Sequence, residues 1–211
     1  MCDDEELIEL LRRLDCPYVR VASVALDVPD SMLVTNDAAG AAEAARHLAD
    51  HSHRRIGHVT GPLSFRSTHE RRRGFAEGLA ERGLALDEAL VKQGGYTFES
   101  GALCARALLA QTPRPTAIFA GNDEMALGVY QAARDAGLRV PEDLSIVGYD
   151  DAPIAARVWP GLTTVRLPIR DMGRIAAAKL MRQEGVENPA ADEAVSPTLV
   201  VRASSGPAPA A

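Results

Sequence analysis

Apolar positions along this chain switch between two periods. Leu7, Leu10, Leu11 and Leu14 recur at i, i+3, i+4 and i+7, the stripe of one helix face, and Pro17 ends it. Short apolar runs follow at intervals: YVRVA (18–22), MLVT (32–35), IGHVT (56–60), LVKQG (90–94), TAIFA (116–120), LSIVG (144–148), LTTVR (162–166) and TLVVR (198–202). Runs of this length, rich in Val, Ile and Thr, read as strands. Helical stretches lie between them. One is Ala-rich, is capped by Asn36 or Asp37 and ends near His51. Others cover 69–83, closed by Gly83, then 100–110, then about 123–136, closed by Gly137, and about 168–183. The segment GPLSFRS is read as a loop, and the small, Pro-rich tail SSGPAPAA as disordered. Strands alternating with helices predict βαβ units and a parallel sheet covered on both faces.

Composition narrows the setting. The chain has 211 residues, 46% of them hydrophobic, enough to fill a core. A net charge of −6 argues against a nucleic-acid surface on this chain alone. Cys2, Cys16 and Cys104 are an odd, widely spaced set, which fits reduced thiols rather than a disulfide framework. No apolar run reaches membrane-spanning length. The opening MCDDEELIELL is acidic, where a secretory signal would begin basic. A cytoplasmic protein with no membrane partner is expected.

Ligands in open parallel sheets bind beyond the carboxyl ends of the strands, so the residues after each strand carry the functional signal. IGHVT is followed by Gly61, Ser64 and Ser67, with Arg71 on the next helix. LVKQG is followed by Gly95 and Tyr96, TAIFA by Gly121-Asn122-Asp123, and LSIVG by Tyr149-Asp150-Asp151. Hydroxyl, guanidinium, ring, amide and carboxylate together suit a polyhydroxylated small molecule. At the Asn122-Asp123 corner, Asp123 is expected to cap the helix and Asn122 to point into the rim. The competing reading makes all these corners ordinary caps and turns.

Rival chemistries are weaker. His47 and His51 stand at i, i+4 with His53 just after, a zinc-compatible spacing, but no further ligand is evident nearby, so no metal is expected. Only one or two of Arg71-Arg72-Arg73 can share a helix face; Arg71 is expected inward and the others solvated. Asp150-Asp151 could form an acid/base pair, yet no nucleophile accompanies it. G-x-S-x-G, G-x-x-x-x-G-K-[ST] and strand-linked G-x-G-x-x-G are all absent. No catalytic residues and no cofactor are expected.

The segments HLADHSHRRIGHVTGP, ERRRGF, PTAIFAGNDEMALGVYQAARDAGLRVPEDLSIVGYDD, LTTVRLPIRDMG and TLVVRAS together resemble the effector-binding region of the lactose-repressor/galactose-repressor (LacI/GalR) family of transcription regulators, over about residues 7–205. The resemblance implies a periplasmic-binding-protein-like α/β fold of two doubly wound parallel-sheet subdomains with an effector in the cleft between them. It places the subdomains at 1–35 plus 159–186, incomplete, and at 36–158 plus 187–205, with 206–211 a disordered tail. By the same resemblance Arg71 is the effector-clamping arginine, Asn122 and Asp150 contact the effector, and Ser67 and Tyr96 line the pocket. It further implies a sugar or nucleoside-like effector, a homodimer, and control of operator binding by closure of the cleft.

The family's helix-turn-helix domain, hinge helix and first strands have no counterpart here, so operator DNA is expected as a partner only through a missing N-terminal domain, with Met1 a start or boundary inside a longer frame. A polar contact that the family supplies near Ala22 is replaced by Ala22-Ser23-Val24. The alternatives are a stand-alone sugar-binding protein of the periplasmic type, for which the signal peptide is wanting, and an enzyme on a doubly wound sheet, for which the motifs are wanting.

Overall fold

The computed structural model describes residues 5–21, 31–187 and 195–209. Cys2 and the Ala22-Ser23-Val24 stretch lie outside the described residues. In chain order the elements are α1 (Glu5–Arg13), β1 (Arg20–Val21), β2 (Met32–Leu33), α2 (Asp37–Asp50), β3 (Ile56–Thr60), α3 (Arg66–Ala80) and β4 (Val91–Gln93). They continue with α4 (Phe98–Leu109), β5 (Ala117–Ala120), α5 (Asp123–Asp135), β6 (Ser145–Asp150), β7 (Thr163–Arg166), α6 (Ile169–Gln183) and β8 (Thr198–Val200).

Six strands form one sheet in the order β4-β3-β5-β6-β7-β8. The first five run parallel, and β8 closes the edge antiparallel to β7. Successive side chains point to opposite faces of a strand, and this sorts the core. Phe119, Val147, Tyr149 and Val165 pack with Ala41, Leu48 and Phe75 of α2 and α3 on one face. Ile118, Ala120 and Ile146 pack with Leu108, Met125 and Val129 of α4 and α5 on the other. Each helix pair crosses closely through glycine: a Cβ on Gly74 would stand 2.0 Å from Ala38 O, and one on Gly128 2.2 Å from Phe98 O.

A smaller parallel pair, β1 and β2, stands apart from this sheet. Leu33 packs there with Met172 and Ile175 of α6 and with Val195. On α1, Leu7 and Leu10 are exposed, as is Leu14 just beyond its end.

Two expectations change. Thr163–Arg166, placed by sequence with the 159–186 stretch of the smaller unit, pairs on both sides within the six-stranded sheet. The tail expected to be disordered is tied down through residue 208. Ser204 is fully buried and its hydroxyl donates to Ile146 O at 2.6 Å, while Thr163 N–H donates to that hydroxyl at 2.7 Å. Gly206 O lies 3.0 Å from His53 Nε2, and Ala208 N–H donates to His51 O at 2.8 Å. Composition misleads here because fixed partners on β6, on β7 and after α2 outweigh the loss of chain entropy.

Candidate functional site

Parallel register brings the carboxyl ends of β3, β5 and β6 to one rim: Val59 pairs with Ala120, and Phe119 with Val147. Arg71 lies at the middle of that rim. It projects from the second turn of α3, its side chain is 9% exposed, and Phe75 one turn further on fixes the helix against the sheet. Its guanidinium donates from Nε to Asp37 Oδ1 at 2.9 Å and from Nη1 to Gly121 O at 2.5 Å. Nη2 stands 3.5 Å from Asp150 Oδ1. The plane rests on the Tyr149 ring, with Cζ 3.7 Å from the ring centroid. Burial works against the charge, but Asp37 and Asp150 outweigh it and hold the guanidinium pKa above its ordinary value.

Asp37 is the partner that the sequence reading treated only as a helix cap. It is the first residue of α2 and buried; Asn36 does the capping, accepting from Ala39 N–H. This frees the Asp37 carboxylate to take Arg71 on one oxygen and the Thr35 hydroxyl on the other. Tyr149 donates its hydroxyl to Asp37 O at 3.3 Å. The strand end MLVT-Asn36-Asp37 carries the same polar surplus as the other corners, and that signal would have found it.

Asp150 ends β6 with φ 109°, a conformation uncommon outside glycine. Its side chain keeps 37% exposure. Burial pushes its pKa up to about 6, Arg71 opposes the rise, and Asp37 adds to it. Asp151, also at positive φ, turns the other way and holds Arg166 and Arg202, each at 2.6 Å. Burial opposes its charge, yet those two arginines keep its pKa below the usual carboxylate range. The two neighbouring carboxylates therefore do not face one another as an acid/base pair would.

The Asn122-Asp123 corner reverses the expected roles. Asn122 is the cap: its backbone is extended, its Oδ1 accepts from Met125 N–H at 2.9 Å, and its Nδ2 donates to Tyr96 O at 3.2 Å. Each polar atom retains capacity for one further bond. Asp123 turns into the core, where it accepts from the Thr164 hydroxyl at 2.6 Å and from Ala152 N–H at 2.7 Å. Gly148 makes this possible, since a Cβ there would stand 2.3 Å from Asp123 Oδ1. Burial drives the Asp123 pKa up to about 7, against the pull of its two hydrogen bonds.

Tyr96, at φ 61°, lays its ring over Gly61 and meets Phe65 edge-on at 5.5 Å between centroids. Its hydroxyl is 2.9 Å from Thr68 Oγ1 and 3.3 Å from Ser67 Oγ. Ser67 was read on a loop; α3 in fact begins at Arg66, so Ser67 and Arg71 stand one turn apart on the same helix. Arg72 and Arg73 pair with acidic side chains at the surface. The five residues singled out from sequence thus occupy neighbouring elements: Asn122 meets Tyr96, Tyr96 meets Ser67, and Arg71 meets Asp150.

His47 and His51 have ring centroids 4.4 Å apart, but His47 lies on Ser205 and His53 on Thr116 and Ser145. Among the described residues no group of three His, Cys, Asp or Glu side chains could hold a metal ion. No helix there is long and apolar enough to cross a membrane.

Residues 45–205 match the periplasmic binding protein-like domain family. A LacI-family regulatory protein from Chloroflexus aggregans has a solved structure that superposes with a TM-score of 0.84 at 32% identity, covering 96% of this chain and 73% of that one. A LacI-family regulator from Enterococcus faecium, solved with bound ribose, superposes with a TM-score of 0.81 at 25% identity, covering 97% of this chain and 76% of that one. The ribose operon repressor of Haemophilus influenzae is 37% identical over 175 residues, 82% of this chain and 52% of that protein. The chain belongs to the LacI family of transcriptional regulators, as its periplasmic-binding-protein-like effector region. It spans about half the length of that curated relative, and its relatives are named as regulators rather than enzymes.

Proposed function

We propose that this chain senses a sugar or related polyhydroxylated metabolite for a DNA-binding regulator. The effector sits against Arg71, Asp150, Asn122, Ser67 and Tyr96. The observation that carries the reading is the buried Arg71 fork, held by Asp37 and Gly121 O, with the half-exposed Asp150 carboxylate beside it at the carboxyl ends of the strands. A carboxylate with a free lone pair next to a fixed guanidinium takes adjacent hydroxyls, and the Tyr96 ring covers an apolar sugar face. The two-strand unit with α6 is the second wall of the cleft, and α2 to β7 with β8 the first. Closing one wall on the other changes the affinity of attached DNA-binding heads for an operator. The protein works in the cytoplasm.

The reading includes a homodimer. It is supported by an apolar groove of about 450 Å³ between α5 and the loop after β6, lined by Leu127, Tyr130, Ile154, Val158 and the 90% exposed Trp159.

Thermal unfolding in the presence of pentoses, hexoses, disaccharides and nucleosides tests the sensor, and sedimentation of the same samples tests the dimer. A sugar that raises the Tm of the parent should leave the Tm of Asp150→Ala unchanged, because the acceptor of its hydroxyls is gone; the variant itself should fold, since a partly exposed rim carboxylate contributes little packing. An Asp150→Ala variant that responds like the parent would place the site elsewhere.

A further inference from the structure

Among the described residues, the arginine at the middle of the rim and the two beside its Asp150-Asp151 corner are already held by protein acceptors. Arg166 and Arg202 bind Asp151 at 2.6 Å each, and Arg202 also donates to Leu162 O at 2.7 Å. Arg71 is divided among Asp37, Gly121 O and Asp150, with one face closed by Tyr149. Around that guanidinium stand two carboxylates to one cation. A phosphate group needs an unspent fork or open helix N–H groups. The N-terminus of α5 is closed by Asn122 and carries Asp123 and Glu124 in its first turn; that of α2 is closed by Asn36 and carries Asp37. The opposing feature is α3, whose N-terminus has no side-chain cap and begins with Arg66. Arg66 shares its hollow with Glu70 and Asp37, so an arriving anion meets two carboxylates there as well. What the rim offers instead is acceptors and hydroxyls. Asp150 keeps one oxygen without a protein partner among the described residues, and Ser67, Thr68 and Tyr96 form a hydroxyl chain.

We infer that the rim selects uncharged polyhydroxylated ligands and discriminates against their phosphate esters. This rests on the effector-sensing reading above and adds the ligand's charge class. The Asp37 carboxylate is the selecting group that sequence reading missed: it occupies the Nε edge of the Arg71 guanidinium and adds negative charge beside Asp150.

The test is calorimetric titration of the chain with unphosphorylated pentoses, hexoses, disaccharides and nucleosides, each beside its phosphate ester, and with inorganic phosphate, at pH 7.5. For any sugar that binds, the ester should bind at least tenfold more weakly. That gap should shrink in 0.5 M salt, because the discrimination is electrostatic and screenable. Asp150→Asn should weaken the free sugar and narrow the gap from both sides. An ester, or phosphate itself, binding as tightly as the free sugar would overturn the inference while leaving the sensor reading intact. Failure of every member of the panel would overturn the sensor reading and the inference with it.

Discussion

Arg71→Met removes the centre of the rim and should be costly even with no ligand present. The side chains of Arg71 and Asp37 are each only 9% exposed, so the substitution strands a carboxylate whose remaining side-chain donor is Thr35. It also takes away the Nη1 donor of Gly121 O. Removing one partner of a buried ion pair costs about 3–5 kcal/mol, a large part of the roughly 5–15 kcal/mol that holds a domain folded. Asp37→Asn alone leaves the arginine with Asp150 and Gly121 O and should cost less. Combining the two removes the buried carboxylate together with its arginine and leaves only the partly exposed Asp150 without its partner, so Asp37→Asn/Arg71→Met should be more stable than Arg71→Met. Urea unfolding followed by far-ultraviolet circular dichroism measures this; the single tryptophan, Trp159, is 90% exposed and would report the transition poorly. With a slope of about 2 kcal/mol/M, Arg71→Met should lower the midpoint by roughly 1.5–2.5 M. A midpoint within 0.3 M of the parent, or a double variant less stable than Arg71→Met, would refute the claim that Asp37 and Arg71 form a coupled buried pair.

Two further outcomes follow from other parts of the fold. Ser204→Ala should destabilise by about 1–3 kcal/mol, because Thr163 N–H loses its acceptor in a fully buried position; an unchanged urea midpoint would show that the tail is dispensable. Asp123 has its folded pKa raised from 3.8 to about 7, so its contribution is fully present below the unfolded pKa and lost as pH rises through the folded one. Parent stability should therefore decline between about pH 4 and pH 7 relative to Asp123→Asn, whose amide can bond Ala152 N–H and the Thr164 hydroxyl without a charge. Parallel pH profiles for the two proteins would contradict that.

The fold was largely legible because its strands obey the simplest rule available. Ile118, Phe119 and Ala120 are each fully buried, as strands covered on both faces must be, and so they read as unbroken apolar runs. Helix ends closed by Gly83 and Gly137 were legible for a local reason, since both adopt positive φ, at 70° and 68°. What local pattern could not carry was pairing. Nothing in TLVVR says that it runs antiparallel beside β7, and nothing in SSGPAPAA says that Ile146 and His53 wait for it.

The site shows the same boundary from the other side. Strand-end reasoning singles out Arg71 and Asp150 as candidates, and the structure sets them 3.5 Å apart. It misassigned the Asn122-Asp123 corner because either residue type caps a helix equally well in sequence. The choice is made 25 residues later by Gly148, whose missing Cβ opens the space that Asp123 enters, leaving Asn122 the cap. It overlooked Asp37 for the converse reason: one plausible local role, capping, was taken as sufficient, although Asn36 beside it could fill that role alone. Where two adjacent polar residues compete for one local task, the one left over is the candidate for a long-range contact. Applied to this chain, that rule selects Asp37 and Asp123, both buried and both bonded to elements distant in sequence.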